Sequence, residues 1–212
     1  MTAQIQRVLE EIGQPRTFAP GDVLMRAGQE PDRVYLIGSG VVKVTWVTPS
    51  GTEVVLGFRG AGELLGELSA LDLEPSSATA AAVGEVHAHV LSTAAFARYM
   101  ESEPAAAIEM LRFLSRRFRD ADRKLIEFGS SDALGRVASR LLELAADYGR
   151  PAEHGVTIGL PLSQDELAAW AGCSRKAAVN ALRTLRDMHS IDTKRREITI
   201  LEPQALRRLT AM

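Results

Sequence analysis

The chain has 212 residues, a net charge of −2, hydrophobic and charged fractions of 46% and 25%, and one cysteine. Such totals belong to a soluble globular protein with one large domain or two small ones, and no apolar run reaches the roughly 18 residues that a bilayer span needs. The lone Cys173 excludes an internal disulfide and a cysteine cluster for zinc or iron–sulfur.

The opening "MTAQIQRVLEEIGQ" is amphipathic and polar, unlike a signal peptide, so the expected address is the cytoplasm. Residues 16 to 91 read as strands. Short β-branched runs such as "RVYLIGSGVVKVTWV" and "TEVVLGF" are cut by Gly, Pro and Asp. "TPSGTE" (48–53) reads as a hairpin turn, and Gly38 and Gly40 mark tight bends. Many short strands at regular spacing predict a small antiparallel barrel or sandwich.

Within that region "GELSALDLEPSSATA" (66–80) reads as a glycine-opened turn followed by a serine-rich loop. Backbone of that kind can wrap a phosphate, yet the stretch carries no lysine or arginine.

From Ser92 the pattern is helical, and Pro104 opens a long run, "PAAAIEMLRFLSRRFRDADRKLIEF". Its apolar residues Ala107, Leu111, Leu114, Phe118, Ala121, Leu125 and Phe128 follow spacings of 4, 3, 4, 3, 4, 3. That is the 3.5-residue period of a helix packing along a partner helix. The run is about 37 Å long at 1.5 Å per residue. The stripe either packs on its own barrel or pairs with a second copy; it outlasts a barrel flank, which favours self-association through Leu111, Leu114, Phe118, Ala121 and Leu125.

"GSSDALGR" (129–136) breaks the run. Ser131 or Asp132 can cap the next helix, "ALGRVASRLLELAADYG", which stops at Gly149. "RPAEHG" then reads as a linker. "LSQDELAAWAGCSRKAAVNALRTLRD" is two short helices around a tight turn at Gly172, with capping-box spacing from Ser163 to Glu166 and Ser174 placed to cap the second helix. On that helix Ala178, Leu182 and Leu185 share one face, while Arg175, Lys176, Val179, Asn180 and Arg183 share the other. Arg and Lys can reach guanine and Asn can reach adenine in a major groove. "SIDTKRREITIL" (190–201) reads as a hairpin with a basic tip at Lys194, Arg195 and Arg196, a wing for the DNA backbone. Charge is divided accordingly: residues 1–130 hold 13 basic and 17 acidic side chains, residues 131–212 hold 12 and 10. A basic face on a mildly acidic chain suits a phosphate-seeking module.

Strand-rich barrel with a "GELSAL" cassette, long helix, then "GCSR" helix-turn-helix with a wing: in this order the chain resembles the Crp–Fnr family of bacterial transcription regulators over nearly its full length. The resemblance implies an α+β fold with a jelly-roll-like, cyclic-nucleotide-binding type β-barrel (1–103), a dimerisation helix (104–130) and a winged helix-turn-helix (131–212). It implies homodimers on two-fold symmetric double-stranded DNA, with RNA polymerase as a further partner and no membrane. Arg175 matches the family's guanine-reading arginine; Lys176 stands where cyclic-AMP-responsive members often have Glu, and Asn180 where they have a second base-reading Arg. Ser163, Ser174, Arg183 and the wing tip complete the expected DNA contacts.

For the effector pocket the resemblance implies Gly66, Glu67, Leu68, Ser69, Ser76, Ser77, Ala121 and Asp122. Glu67 would accept from a ribose hydroxyl and Ser77 would touch a phosphate. The preceding position, arginine in cyclic-AMP binders, is Ser76, and the adenine-contacting Thr and Ser are Ala121 and Asp122. The effector is therefore left open: a cyclic phosphate without its cation loses a charge-assisted bidentate pair, so weak or absent cyclic-AMP binding is expected. Iron–sulfur sensing needs several cysteines. His87-Ala88-His89 puts two imidazoles on one strand face, which reads better as an ordinary polar pair than as a metal or haem site, so no metal site is expected. A nucleotide-sensing module working through protein contacts is the alternative function. No nucleophile elbow, metal-ligand cluster or Walker loop points to an enzyme.

Overall fold

A computed structural model describes residues 1–194 and 197–210. It divides into two compact units, Met1–Asp120 and a second beginning at Ala121. The division falls inside one long helix.

The first unit opens with α1 (Ala3–Ile12) and continues through β1 (Gln14–Phe18), β2 (Val23–Met25), β3 (Arg33–Ser39), β4 (Val42–Val47), β5 (Glu53–Arg59) and β6 (Leu64–Leu65). Then come α2 (Glu67–Asp72), β7 (Thr79–Ala82), β8 (Val86–Ser92), α3 (Thr93–Ser102) and α4 (Pro104–Ser130). Two four-stranded antiparallel sheets form, ordered β1-β8-β3-β6 and β2-β7-β4-β5. The expected strand-rich antiparallel fold is present, but as two separate sheets rather than a closed barrel.

In β3, Val34, Tyr35, Leu36 and Ile37 are all buried. Side chains alternate across a strand, so both faces of this sheet must be covered. Tyr35 and Ile37 join residues of both sheets in one core, with Val42, Ala80 and Ala88. Val34 and Leu36 join a second core with Leu9 of α1, Phe96 of α3, and Met110 and Phe113 of α4. The helices thus cap the outer face of one sheet. The "TPSGTE" turn joins β4 to β5 as expected. Gly40 makes a bend with φ +85°, whereas Gly38 lies inside β3 at a shift of its register against β8. The cassette differs from its sequence reading: the residues after Gly66 form the short helix α2, and only the stretch beyond it is loop.

The second unit contains the end of α4, then α5 (Ala133–Tyr148), β9 (Gly149–Pro151), β10 (Val156–Ile158), α6 (Gln164–Ala171), α7 (Arg175–Asp187), β11 (Ile191–Lys194), β12 (Glu197–Ile200) and α8 (Pro203–Thr210). Asp132 caps α5, accepting from the Gly135 amide at 2.8 Å. "RPAEHG" is not a linker. It belongs to a β9–β10 hairpin that extends the wing into a four-stranded sheet, β11-β12-β10-β9. Gly149 ends α5 as expected, in extended backbone with φ −73° and ψ 146°, and its small size matters because a Cβ would collide with the Ala145 carbonyl.

The last turns of α4 are fastened to this unit by charge. Arg140 of α5, 3% exposed, pairs with Glu127 of α4 and, at 2.8 Å, with Glu143. Lys124 reaches Glu143 at 3.0 Å. Arg136 donates to the carbonyls of Ala171 at 2.8 Å and Gly172 at 3.4 Å, at the turn between α6 and α7. Gly172 itself is left-handed, φ +58°, and a Cβ there would lie 1.9 Å from the Phe128 ring. Gly172→Ala is therefore expected to destabilise this unit by more than the roughly 1–2 kcal/mol of left-handed backbone alone, because Phe128 must also leave its seat; urea unfolding of the two proteins measures the difference.

Candidate nucleic-acid interface and effector cassette

Helices α6 and α7 are built by local rules before any ligand is considered. Ser163 and Glu166 form a complete capping box at the start of α6, with Glu166 Oε2 accepting from the Ser163 amide at 2.9 Å. Ser174 caps α7, accepting from the Ala177 amide at 3.2 Å. Ala178, Ala181, Leu182 and Leu185 are buried along one face of α7. The opposite face leaves Arg175, Lys176, Asn180 and Arg183 exposed, with Val179 partly covered. Two of these cations have acidic neighbours: Arg175 lies 3.4 Å from Asp165 and Arg183 lies 3.8 Å from Asp187, all four side chains more than two-thirds exposed. Exposed pairs of this kind are worth roughly 0–1 kcal/mol, so both guanidiniums can be drawn to a stronger anion. Lys194 ends β11 and is exposed; Arg195 and Arg196 lie outside the described residues.

In the first unit, Gly66 opens the cassette at φ +81°, with its Cα so close to β3 that a Cβ would meet the Arg33 carbonyl at 2.5 Å. Glu67 follows at the start of α2. It is 2% exposed and ion-paired with Arg117 of α4, which also stacks on the Phe113 ring at 5.6 Å. Burial pushes the Glu67 carboxyl above its ordinary range; Arg117, and more weakly Arg59, pull the other way. Ser69 and Ser76 are buried, while Leu68 and Ser77 are exposed. Ser76 is held by its backbone, donating to the Gln29 carbonyl at 2.8 Å and accepting from the Gly28 amide at 2.7 Å. Ala121 and Asp122 lie in the second unit and are exposed.

The positive charge missing from "GELSALDLEPSSATA" is thus supplied from elsewhere in the chain, by Arg117 and Arg59. Sequence reading passed over both. Arg117 could have been found from helix geometry: it continues the buried stripe Met110, Phe113 at helical spacing, and an arginine on a buried stripe needs an acid to meet it.

Ser76 is neutral and buried, and the Glu67 carboxyl is paired with Arg117. The raised Glu67 pKa also fixes a pH dependence. A carboxyl whose folded pKa lies above its unfolded value adds stability below about pH 4.5, and that share is lost as pH rises through the folded pKa. Wild type is expected to lose ground to Glu67→Gln as pH climbs from 4.5 towards 8 in urea unfolding. Arg117→Met should move the Glu67 titration higher still, read by carboxyl carbon NMR.

His87 Nδ1 lies 3.0 Å from Thr17 Oγ1 and its Nε2 lies 3.1 Å from Glu85, so it is an exposed, partnered side chain; His89 is half-buried. Among the described residues no group of three or more His, Cys, Asp or Glu side chains could hold a metal ion, and none of their helices is long and apolar enough to cross a membrane. Cys173 is half-buried rather than enclosed, and its thiol is pushed up by burial.

A sheet-borne cassette together with a helix-turn-helix that exposes a basic face is the build of a DNA-binding transcription regulator. The model of the cyclic nucleotide-binding domain matches residues 15–103, and that of the Crp-like helix-turn-helix domain matches residues 135–209. The chain is 31% identical to the CRP-like cAMP-activated global transcriptional regulator of Mycobacterium tuberculosis, over 92% of this chain and 87% of that one. It is 29% identical to the global nitrogen regulator of Synechococcus elongatus, over 89% and 86%. Among solved structures it superposes on a CRP-family transcriptional regulator from Thermus thermophilus with a TM-score of 0.79 at 25% identity, covering 93% of this chain and 97% of that one. FixK2 of Bradyrhizobium japonicum shares the fold, with a TM-score of 0.82 at 20% identity over 95% and 98%. The chain belongs to the CRP/FNR family of transcription regulators, which are not enzymes.

Proposed function

We propose that this chain is a sequence-specific DNA-binding transcription regulator that works as a homodimer, and that its cassette does not use cyclic AMP in the usual way. The observation that carries the reading is the exposed face of α7, where Arg175, Lys176, Asn180 and Arg183 stand clear of a fully apolar buried face. Lys194 on the wing, and Ser163 and Ser174 at the two helix starts, are the backbone-contacting partners in this reading, with Arg195 and Arg196, outside the described residues, as further candidates. RNA polymerase in the cytoplasm is the machinery such a regulator would act on.

Self-association is supported by α4. Leu111, Phe118 and Leu125 are 60%, 68% and 71% exposed, and Leu114 and Ala121 continue the same stripe. The helix buries Ala106, Met110 and Phe113 on its own unit instead. A stripe of that length left uncovered fits a second copy of the same helix.

The unusual cassette is supported by neutral Ser76 and by the Glu67–Arg117 pair. Titration of the purified chain with cyclic AMP is expected to show no binding at micromolar concentration; saturable micromolar or tighter binding would overturn this part. Selection of bound sequences from random duplex, with and without cyclic nucleotides, tests the rest. A two-fold symmetric site is expected, and failure of any selected duplex to outcompete bulk genomic DNA would end the DNA-binding reading.

A further inference from the structure

The second unit contains a cavity of about 190 Å³ that opens between α6, α7 and the wing strands. Its floor is formed by Leu141 and Leu144 of α5, Ile158 of β10, Leu160, Leu167 of α6 and Leu182 of α7, each no more than 9% exposed. No polar side chain lies among them. A floor of this kind takes the apolar part of a guest; an enclosed cavity of about 150 Å³ lined by Leu, Ile and Phe accommodates benzene. A purine or a phosphate would lose its hydrogen bonds on this floor without replacement, so the cavity suits a different chemistry from that of the cassette.

The mouth adds a sign. Its polar lining is Ser163 and Gln164 at the start of α6, Arg186 of α7, and Thr193, Lys194 and Glu197 of the wing hairpin. Lys194 and Glu197 are direct register partners across β11 and β12, so their charges offset one another. Arg186 donates to the neutral Thr193 hydroxyl at 3.0 Å, and among the described lining residues its guanidinium is the charge with no register partner of opposite sign.

We propose that this cavity is a ligand site for a small aromatic or branched carboxylic acid of about benzoate size, with the apolar body on the leucine floor and the carboxylate at Arg186. Helices α5, α6 and α7, strand β10 and the wing meet here. The site rests on its own lining and stands or falls apart from the DNA reading.

Methyl NMR of the full chain, titrated separately with benzoate and with benzyl alcohol, tests it. Benzoate should shift the methyls of Leu144, Ile158 and Ile198 saturably, with a dissociation constant in the low millimolar range or better, roughly what nine non-hydrogen atoms can supply. Benzyl alcohol, equal in bulk but uncharged, should bind about tenfold more weakly for want of the charge-assisted hydrogen bond. Arg186→Gln should abolish that preference, and Leu160→Phe, which fills the floor, should remove benzoate binding while leaving the protein folded by its methyl spectrum. The proposal is overturned if benzoate gives no saturable shift up to about 10 mM. Equal binding of the two probes to wild type, an unchanged preference in Arg186→Gln, or shifts confined to Leu64 and Leu65 of the first unit would also overturn it. Should Leu160→Phe unfold, the Arg186→Gln comparison decides.

Discussion

Replacing Arg175 with alanine is expected to weaken binding to the selected duplex by about 1–3 kcal/mol, roughly 5- to 150-fold, and to relax the choice of base at one position of each half-site. Arg175 is the first residue of α7, exposed, and paired with Asp165 in a solvent-facing contact. A guanidinium so placed has little to give up before reaching a guanine edge. Fluorescence anisotropy on the selected duplex and on a mismatched one gives the comparison. Lys194→Gln is the contrasting variant. If Lys194 meets a phosphate, affinity drops by a similar factor on every sequence and the salt slope falls by about 0.9. Equal losses on matched and mismatched duplex for Arg175→Ala would mean that this side chain touches only backbone, and the assignment of α7 as the reading helix would fail.

Placing aspartate at both Phe118 and Leu125 is expected to convert the protein to monomers. Each side chain is more than two-thirds exposed in the single chain, and burying a Leu or Phe against a partner is worth about 1.5–3 kcal/mol. Both positions are lost in both protomers, and each aspartate brings a carboxylate that a paired helix could not solvate. Weakening of the association by about a thousandfold or more follows, measurable by sedimentation equilibrium. Affinity for the two-fold site should collapse with it, since the second half-site is no longer held at high effective concentration, while the melting of each unit stays near wild type. A variant that remains dimeric would place the interface elsewhere.

Local chemistry was legible in the sequence wherever it is self-contained. The capping box at Ser163, the Ser174 cap, the Gly172 turn and the buried face of α7 depend on residues within a few positions of one another, and all stand as read. What escaped was set by partners far along the chain. The hairpin at 149–158 looks like a linker because "RPAEHG" is polar and carries a proline; only its pairing with β12 makes it a strand. The helical form of "ELSALD" escaped because six residues are too short to show a period. Arg117 and Glu67 are 50 positions apart, so their pairing had no local mark.

The end of the long helix is structurally the property of the C-terminal unit. Arg140 is almost wholly enclosed and draws on Glu127, while Phe128 roofs the glycine between α6 and α7. A fragment or fusion spliced at Ser131 would leave a desolvated guanidinium short of one counter-charge and bare the loop that positions the reading helix. Heads exchanged between relatives of this chain should therefore be joined upstream of Ala121, carrying ten further residues of helix as the natural handle of the DNA-facing half.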